Sequence, residues 1–270
     1  MGEAGLDLPR RIAEAYRWHR RLGARVIETP YCHIVADPSK PDVWDCNHAD
    51  AVSARRPAEI DLAFEAMEQH LAHTRWRAVH TDGFTPDPFL ARLALADFRE
   101  RPVTIQMAME GEISFRGPAP DLRLVETDEN WAVLAELVLA NHAEGLTTGG
   151  LEIEPEVSAA LVDGYRAKTP ACLFHLVYEA GTAIAYAACA AAPNGLGMIE
   201  DVFTSAAYRR RGVASAMIAT LSSRLRDQGC DVIFIGALAE EQAKHLYARL
   251  GFRPVSLARA WVKDTLKSAR

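Results

Sequence analysis

The sequence predicts an α/β protein with a mixed sheet, laid out in two domains. Three observations carry that expectation. Strand-like runs alternate with amphipathic helical stretches along the whole chain, the pattern of α/β folds. Val232-Ile233-Phe234-Ile235 is continuously apolar, the mark of a strand covered on both faces. Arg116-Gly117-Pro118-Ala119-Pro120 places two prolines and a glycine between a strand-like run and a fresh pattern, as a linker does. The boundary is expected near residue 118, giving an N-terminal accessory domain over 1–118 and a second domain over 119–270.

In the first domain, residues 8–23 read as an amphipathic helix with Ile12, Tyr16 and His19 on one face. An extended stretch over 25–36 is interrupted by Pro30, which suits an edge strand. Pro57 opens a second helix, because a first-turn residue needs no backbone donor. Ile60, Phe64, Met67 and Leu71 then recur at helical spacing as one buried stripe. Residues 76–81 form a short strand and 88–98 a short helix. Val103, Ile105, Met107 and Met109 alternate with smaller or polar residues, a half-buried strand by period. No segment here offers a glycine-rich anion loop.

In the second domain, residues 122–126 are extended, Asp128 is the expected N-cap of a helix through Leu139, and Pro155 stands early in a helix over 155–167. Residues 172–178 and 183–190 pair through Glu179-Ala180-Gly181-Thr182, a glycine-containing hairpin connection. A strand over 196–204 leads to a long helix over 212–227, ended by Gly229. The apolar strand at 232–235 follows, then a helix over 239–250 stopped by Gly251, and a closing strand over 257–262.

Composition narrows the function. The 270 residues are 49% hydrophobic and 24% charged, enough to fill a sizeable core, and the net charge of −6 argues against a broad face for gripping nucleic acid. Five scattered cysteines without a C-x-x-C pair suit a reducing cytoplasm rather than a disulfide framework or a zinc site. The opening MGEAGLDLPRR lacks the apolar core of a signal peptide. The longest apolar run, 183–192, is about half the roughly twenty residues that span a bilayer. Neither a membrane nor a nucleic-acid role is expected.

The chemistry concentrates in Tyr208-Arg209-Arg210-Arg211-Gly212-Val213-Ala214-Ser215, between a strand and a helix. Such a turn presents backbone N–H groups without helical partners and the positive end of the helix dipole. Gly212 and Ala214 keep side chains out of the way of an approaching anion, and the arginines add charge at the rim. The segment reads as a pyrophosphate cradle. It is neither G-x-G-x-x-G nor G-x-x-x-x-G-K-[ST].

Arg209-x-x-Gly212-x-Ala214 resembles the [Q/R]-x-x-G-x-[G/A] signature of the GNAT superfamily of acyl-CoA-dependent N-acyltransferases. Glu200-Asp201-Val202-Phe203-Thr204 resembles that family's fourth strand, and Leu246-Tyr247-Ala248-Arg249-Leu250-Gly251-Phe252 resembles its L-Y-x-x-x-G-F segment. The resemblance covers roughly 120–265. It implies a mixed sheet of the acyl-CoA N-acyltransferase type, splayed between its fourth and fifth strands to admit a pantetheine arm. The strand segment Val202, Phe203 and Thr204 would hold that arm through the backbone of Val202 and Thr204. N–H groups from Arg210 through Arg211, Gly212, Val213 and Ala214 to Ser215 would hold the pyrophosphate of acetyl-CoA. Tyr247 would protonate the departing thiolate. Glu200 is the candidate general base for direct attack by an amine, and alternation puts it on one strand face with Val202. No metal is called for. The family often has Asn seven residues before the tyrosine, where this chain has Glu240.

Other polar residues read more plainly. Asp45, His48 and Asp50 read as turn chemistry rather than a metal site, since alternation scatters them and no second ligand group is evident. His175 reads as a sheet histidine, and Cys189 has no His or Asp beside it to make it a nucleophile. His142, Glu144 and Thr147 follow the first helix of the second domain and could line an acceptor site. The order of elements in the N-terminal half echoes the second half of the catalytic domain, as a degenerate, cofactor-free copy in a tandem arrangement would. The expected function is acetyl transfer to a primary amine, a small molecule being favoured slightly over a protein. A non-catalytic acyl-CoA-binding or regulatory module is the alternative.

Overall fold

The computed structural model describes residues 4–113, 115–145 and 153–266. The chain gathers into two compact units, residues 1–104 with 256–270, and residues 105–255. Compactness therefore groups the chain differently from the proline-glycine break near 118. The strand expected to close the first domain carries Met107 and Met109, which are buried in the core of the second unit. The last fifteen residues, expected to close the second domain, group with the first.

In the first unit, α1 (Ala4–Arg21) buries Ile12, Ala15 and His19 along one side. β1 (Arg25–Glu28) and β2 (His33–Ala36) form an antiparallel hairpin across Pro30, with β1 at the sheet edge. β3 (His48–Asp50) lies antiparallel to β2; its three residues are too few for a period to reveal. α2 (Pro57–His70), with proline in its first turn, leads to β4 (Trp76–Thr81), parallel to β3. α3 (Asp87–Leu95) and the two-residue β5 (Arg99–Glu100) follow. The stripe read for α2 faces the core: Ile60, Met67 and Leu71 are buried, and Phe64 packs partly exposed beside Phe89. They meet Ile34, Ala49 and Val79 from the sheet and Leu93 from α3. His48 and Asp50 flank Ala49 and so face away from this core, by strand alternation.

In the second unit the strands run β6–β11–β10–β9–β8–β7 across the sheet. In chain order they are β6 (Thr104–Glu110), β7 (Asp121–Leu124), β8 (Leu173–Glu179), β9 (Thr182–Ala191), β10 (Leu196–Thr204) and β11 (Val232–Leu238). From β7 to β10 each strand pairs antiparallel with the next; β10 and β11 pair parallel across α6 (Val213–Asp227). The helices α4 (Asp128–Glu144), α5 (Pro155–Ala167) and α7 (Ala243–Leu250) complete the unit. Met217, Ile218 and Leu221 of α6 pack with Ile199, Ile233 and Ile235 of the sheet.

Several helix ends differ from expectation, those of α4 and α7 among them. The N-cap of α4 is Thr127, whose hydroxyl accepts from the Asn130 N–H at 3.2 Å; Asp128 already sits in the first turn. α4 runs past Leu139 to Glu144 and stops at Gly145 in the left-handed conformation. α7 starts at Ala243 rather than 239, after a turn held by Lys244 Nζ donating to the Ala239 carbonyl.

Both units share a succession of elements. Three antiparallel strands, a helix, a strand parallel to the third, and a helix occur as β1, β2, β3, α2, β4, α3 and again as β8, β9, β10, α6, β11, α7. Among the described residues no helix is long and apolar enough to cross a membrane.

Candidate active site

The parallel ladder between β10 and β11 ends early. It pairs Leu196 with Val232 through to Ile199 with Ile235 and goes no further, although β10 continues to Thr204 and β11 to Leu238. Beyond that point β10 keeps its antiparallel partner, with Phe203 opposite Tyr186 and Thr204 opposite Ala185. The β11 side of the segment 200–204 thus lacks the ladder that the first half of the strand has. This is the splay implied by the sequence resemblance.

β10 leads straight to the arginine-glycine segment expected to cradle an anion. After a turn at 206–208 the chain passes through Arg210 at φ 62° and Gly212 at φ 84° into α6. The left-handed conformation is what Gly212 supplies, and a Cβ placed there would meet nothing within 4 Å. The first bond of the helix runs from the Ala216 N–H to the Gly212 carbonyl at 2.9 Å. The amides of Val213, Ala214 and Ser215 therefore precede any helical acceptor. No side chain caps this end and no acidic residue stands in its first turn. At the equivalent end of α2, Glu59 Oε2 accepts from the Arg55 and Arg56 amides at 2.9 and 3.0 Å. Those bonds hold the Glu59 carboxyl down to about 2. The same structural position is filled in one unit by the chain's own carboxylate and left open in the other.

The three arginines separate in role. Arg209 Nε donates to the Thr204 carbonyl at 2.8 Å, and its Nη2 pairs with Glu144 of α4. Arg211 lies over the Tyr208 ring and bonds Glu179 at 3.2 Å, an exposed pair. Arg210 makes no hydrogen bond or ion pair among the described residues. Arg209, by contrast, ties β10 to α4.

The ring of Tyr247 is buried beside Phe252. Burial, then the charges of Glu200 and Glu241, push its phenol well above the usual value. It is held in the protonated form that a proton donor needs.

A family model described as Acetyltransferase (GNAT) family matches residues 139–252. Residues 139–252 form a GNAT domain. No curated protein sequence matches the chain. Among solved structures, a GCN5-related N-acetyltransferase from Kribbella flavida is 18% identical with a TM-score of 0.70, covering 97% of this chain and 96% of its own. A tandem GNAT protein from the clavulanic acid biosynthesis pathway is 11% identical with a TM-score of 0.59, over 87% of this chain and 78% of its own. A GCN5-related N-acetyltransferase from Sphaerobacter thermophilus is 13% identical, TM-score 0.54, over 87% and 81%. At these identities the likeness is one of fold.

Within the GNAT domain, strict alternation fails where Glu200 and Val202 were placed on one face. Between Glu200, opposite Ala188, and Phe203, opposite Tyr186, β10 has one residue more than β9. This bulge puts Asp201 at φ 54° and re-aims the side chains around it. Val202 packs against the core that holds Ile199. The Thr204 carbonyl expected to face a pantetheine arm already accepts from Arg209.

Sequence reasoning passed over Asp201, which accepts from Tyr165 Oη of α5 at 3.1 Å, and Tyr186, whose hydroxyl accepts from Asn141 Nδ2 at 2.9 Å. The available signal was the acidic pair Glu200-Asp201 interrupting an apolar strand. His142 is buried, 2.8 Å from Ser158 Oγ, and burial lowers its pKa; Glu144 is engaged by Arg209. Both hold the domain together internally, and Thr147 lies outside the described residues. His175 is a buried sheet residue, its pKa lowered to about 4 by burial and Arg224. Burial pushes the Cys189 thiol up to about 12, which removes the thiolate a nucleophile requires.

Proposed function

We propose that the chain is an acetyl-CoA-dependent N-acetyltransferase that moves an acetyl group to a primary amine by direct attack. The observation that carries this reading is the unpaired half of β10 leading into an α6 N-terminus free of any capping carboxylate. The residues present fit the co-substrate: the open space at Gly212 and the first-turn amides would take its pyrophosphate, with Arg210 beside them. The freed edge of β10 at Val202 to Thr204 would take its extended arm. Acetyl-CoA supplies the activated acyl thioester.

The chain's own groups then handle protons. Tyr247, kept neutral by burial, holds its proton for the departing sulfur. Glu200 accepts the proton of the incoming amine. A small-molecule acceptor is favoured over a protein, because the acidic chain shows no peptide-docking motif. Free cysteines at 32, 46, 172, 189 and 230 fit work in a reducing cytoplasm. The N-terminal unit is an accessory, cofactor-free GNAT-like unit; Glu59 occupying its helix N-terminus and the shared succession of elements support that reading.

The test is a calorimetric titration of the intact protein with acetyl-CoA, followed by a thiol-release screen of amines. One site per chain and amine-dependent thiol release are expected. Two sites would overturn the cofactor-free reading of the N-terminal unit, and none would overturn the cradle. Binding without release across the amines would leave an acyl-CoA-binding module in place of an enzyme.

A further inference from the structure

The face of the N-terminal sheet turned away from its apolar core is unusually polar. Asp50, whose side chain is 0% exposed, accepts from Arg21 Nε and Nη2 of α1 at 3.1 and 2.5 Å. Arg17, one turn earlier, pairs with Asp82 at 2.9 Å. Beneath this pairing lie two imidazoles. The side chains of His48 and His80 are 0% and 6% exposed, and their rings meet edge to face with centroids 4.5 Å apart.

Burial disfavours a charge on either ring. His48 Nδ1 stands 2.9 Å from the Asp45 carbonyl, so it carries the hydrogen, and Nε2 finds no donor among the described residues. His80 stacks on Trp44 and has Nε2 3.4 Å from Asp45 Oδ1. The surrounding charges do not welcome two more protons. α1 brings Arg20, Arg21 and the buried His19, and β2 brings His33 opposite Asp50. Against these stand Asp45, half exposed, and Asp50, which lies 3.9 Å from His48 Nε2 but is already clamped by Arg21.

We propose that His48 and His80 form an acid-sensitive latch that holds α1 against the sheet of the N-terminal unit. Neutral, the two rings pack at contact distance under the Arg21–Asp50 pair. Protonated, they become adjacent buried cations beside Arg20 and Arg21, and moving α1 away admits the water that solvates them.

Burial and the neighbouring cations lower both groups from the usual 6.5. A base lowered in the closed state binds its proton more readily once opened. The latch is therefore fully closed above about 6.5 and weakens as pH falls below it. The opening equilibrium should rise about tenfold per pH unit for each proton taken up.

Hydrogen exchange of the full chain between pH 7.5 and 5, corrected for the intrinsic pH dependence of exchange, reads this directly. Amides of α1 should open more readily by about tenfold or more per pH unit below 6.5, while those of α6 stay level. Replacing both rings, His48→Gln with His80→Gln, should flatten the α1 response. A pH-independent α1 in the natural protein, or an unchanged slope in the double variant, overturns the latch. Should the double variant not fold, imidazole ¹⁵N spectra of the natural protein decide. Both rings should stay neutral until α1 opens, and titration near 6.5 with α1 still protected overturns the proposal.

Discussion

Arg209 reaches back to Thr204, its Nε donating to the strand carbonyl at 2.8 Å. The first arginine of the basic run therefore braces the end of β10, and its neighbour Arg210, without a partner among the described residues, is the one proposed to meet acetyl-CoA. Arg209→Ala should lower stability by about 1 kcal/mol, the net worth of such a bond. Arg210→Ala should leave stability unchanged and weaken acetyl-CoA binding by about tenfold, the loss of roughly one charge-assisted contact. Thermal unfolding and calorimetry of the pair check this, and the reverse assignment of effects would refute it.

Gly212 combines a left-handed backbone with empty space where a side chain would stand. Gly212→Glu should abolish acetyl-CoA binding while the fold, read by circular dichroism, persists, because a carboxylate would compete for the amides just as Glu59 does at α2. Gly212→Ala should cost about 1–2 kcal/mol of stability through backbone strain alone. Retained binding in the Glu variant would sink the cradle assignment.

Tyr247→Phe removes only a hydroxyl from a buried ring. Acetyl-CoA affinity should stay close to natural, while turnover falls by about 10²–10⁴-fold, the usual contribution of a proton donor. The raised phenol also predicts that no loss of rate from Tyr247 ionisation sets in up to its ordinary value of 10. A variant with natural turnover would show that the thiolate leaves unaided.

His175 sets a pH dependence for the GNAT domain. Its folded pKa of about 4 lies below the ordinary 6.5, so the unfolded chain binds the extra proton between those values. Its contribution is fully present above 6.5 and lost as pH falls towards 4, at most about 3 kcal/mol in all. Denaturant unfolding of the protein and of His175→Gln at pH 7 and 4.5 measures it; the variant should lose less stability on acidification. Equal losses would show that His175 carries no such linkage.

Regular elements were legible wherever period or punctuation marked them. The strand 76–81, the helix 155–167 and the strand 196–204 stand where alternation, an early proline and an apolar run placed them. The short β3 left no pattern, and the start of α7 slipped because residues 239–242 turn without a breaker that composition could flag. In the candidate site, the arginine-glycine loop was visible because it is local. The bulge at Asp201 was not: an extra residue changes no composition, yet it reverses which face each later side chain takes. Nor could the chain announce that Arg209 folds back on Thr204, or that Tyr165 reaches Asp201 from 36 residues away. Those relations exist only once helices and strands have met.

Residues 256–270 complete the first unit, and from Arg259 to Asp264 they pair along the whole of β4. On the ribosome, the earlier unit is thus completed by residues made after the later one. Residues 1–104 emerge with one flank of β4 awaiting a partner that is made only after the entire second unit. An open strand flank is a template for stray pairing, and the second unit has all its residues before that flank closes. The order of synthesis therefore favours the GNAT-bearing unit folding first, with the N-terminal unit sealed afterwards by the strand that pairs with β4.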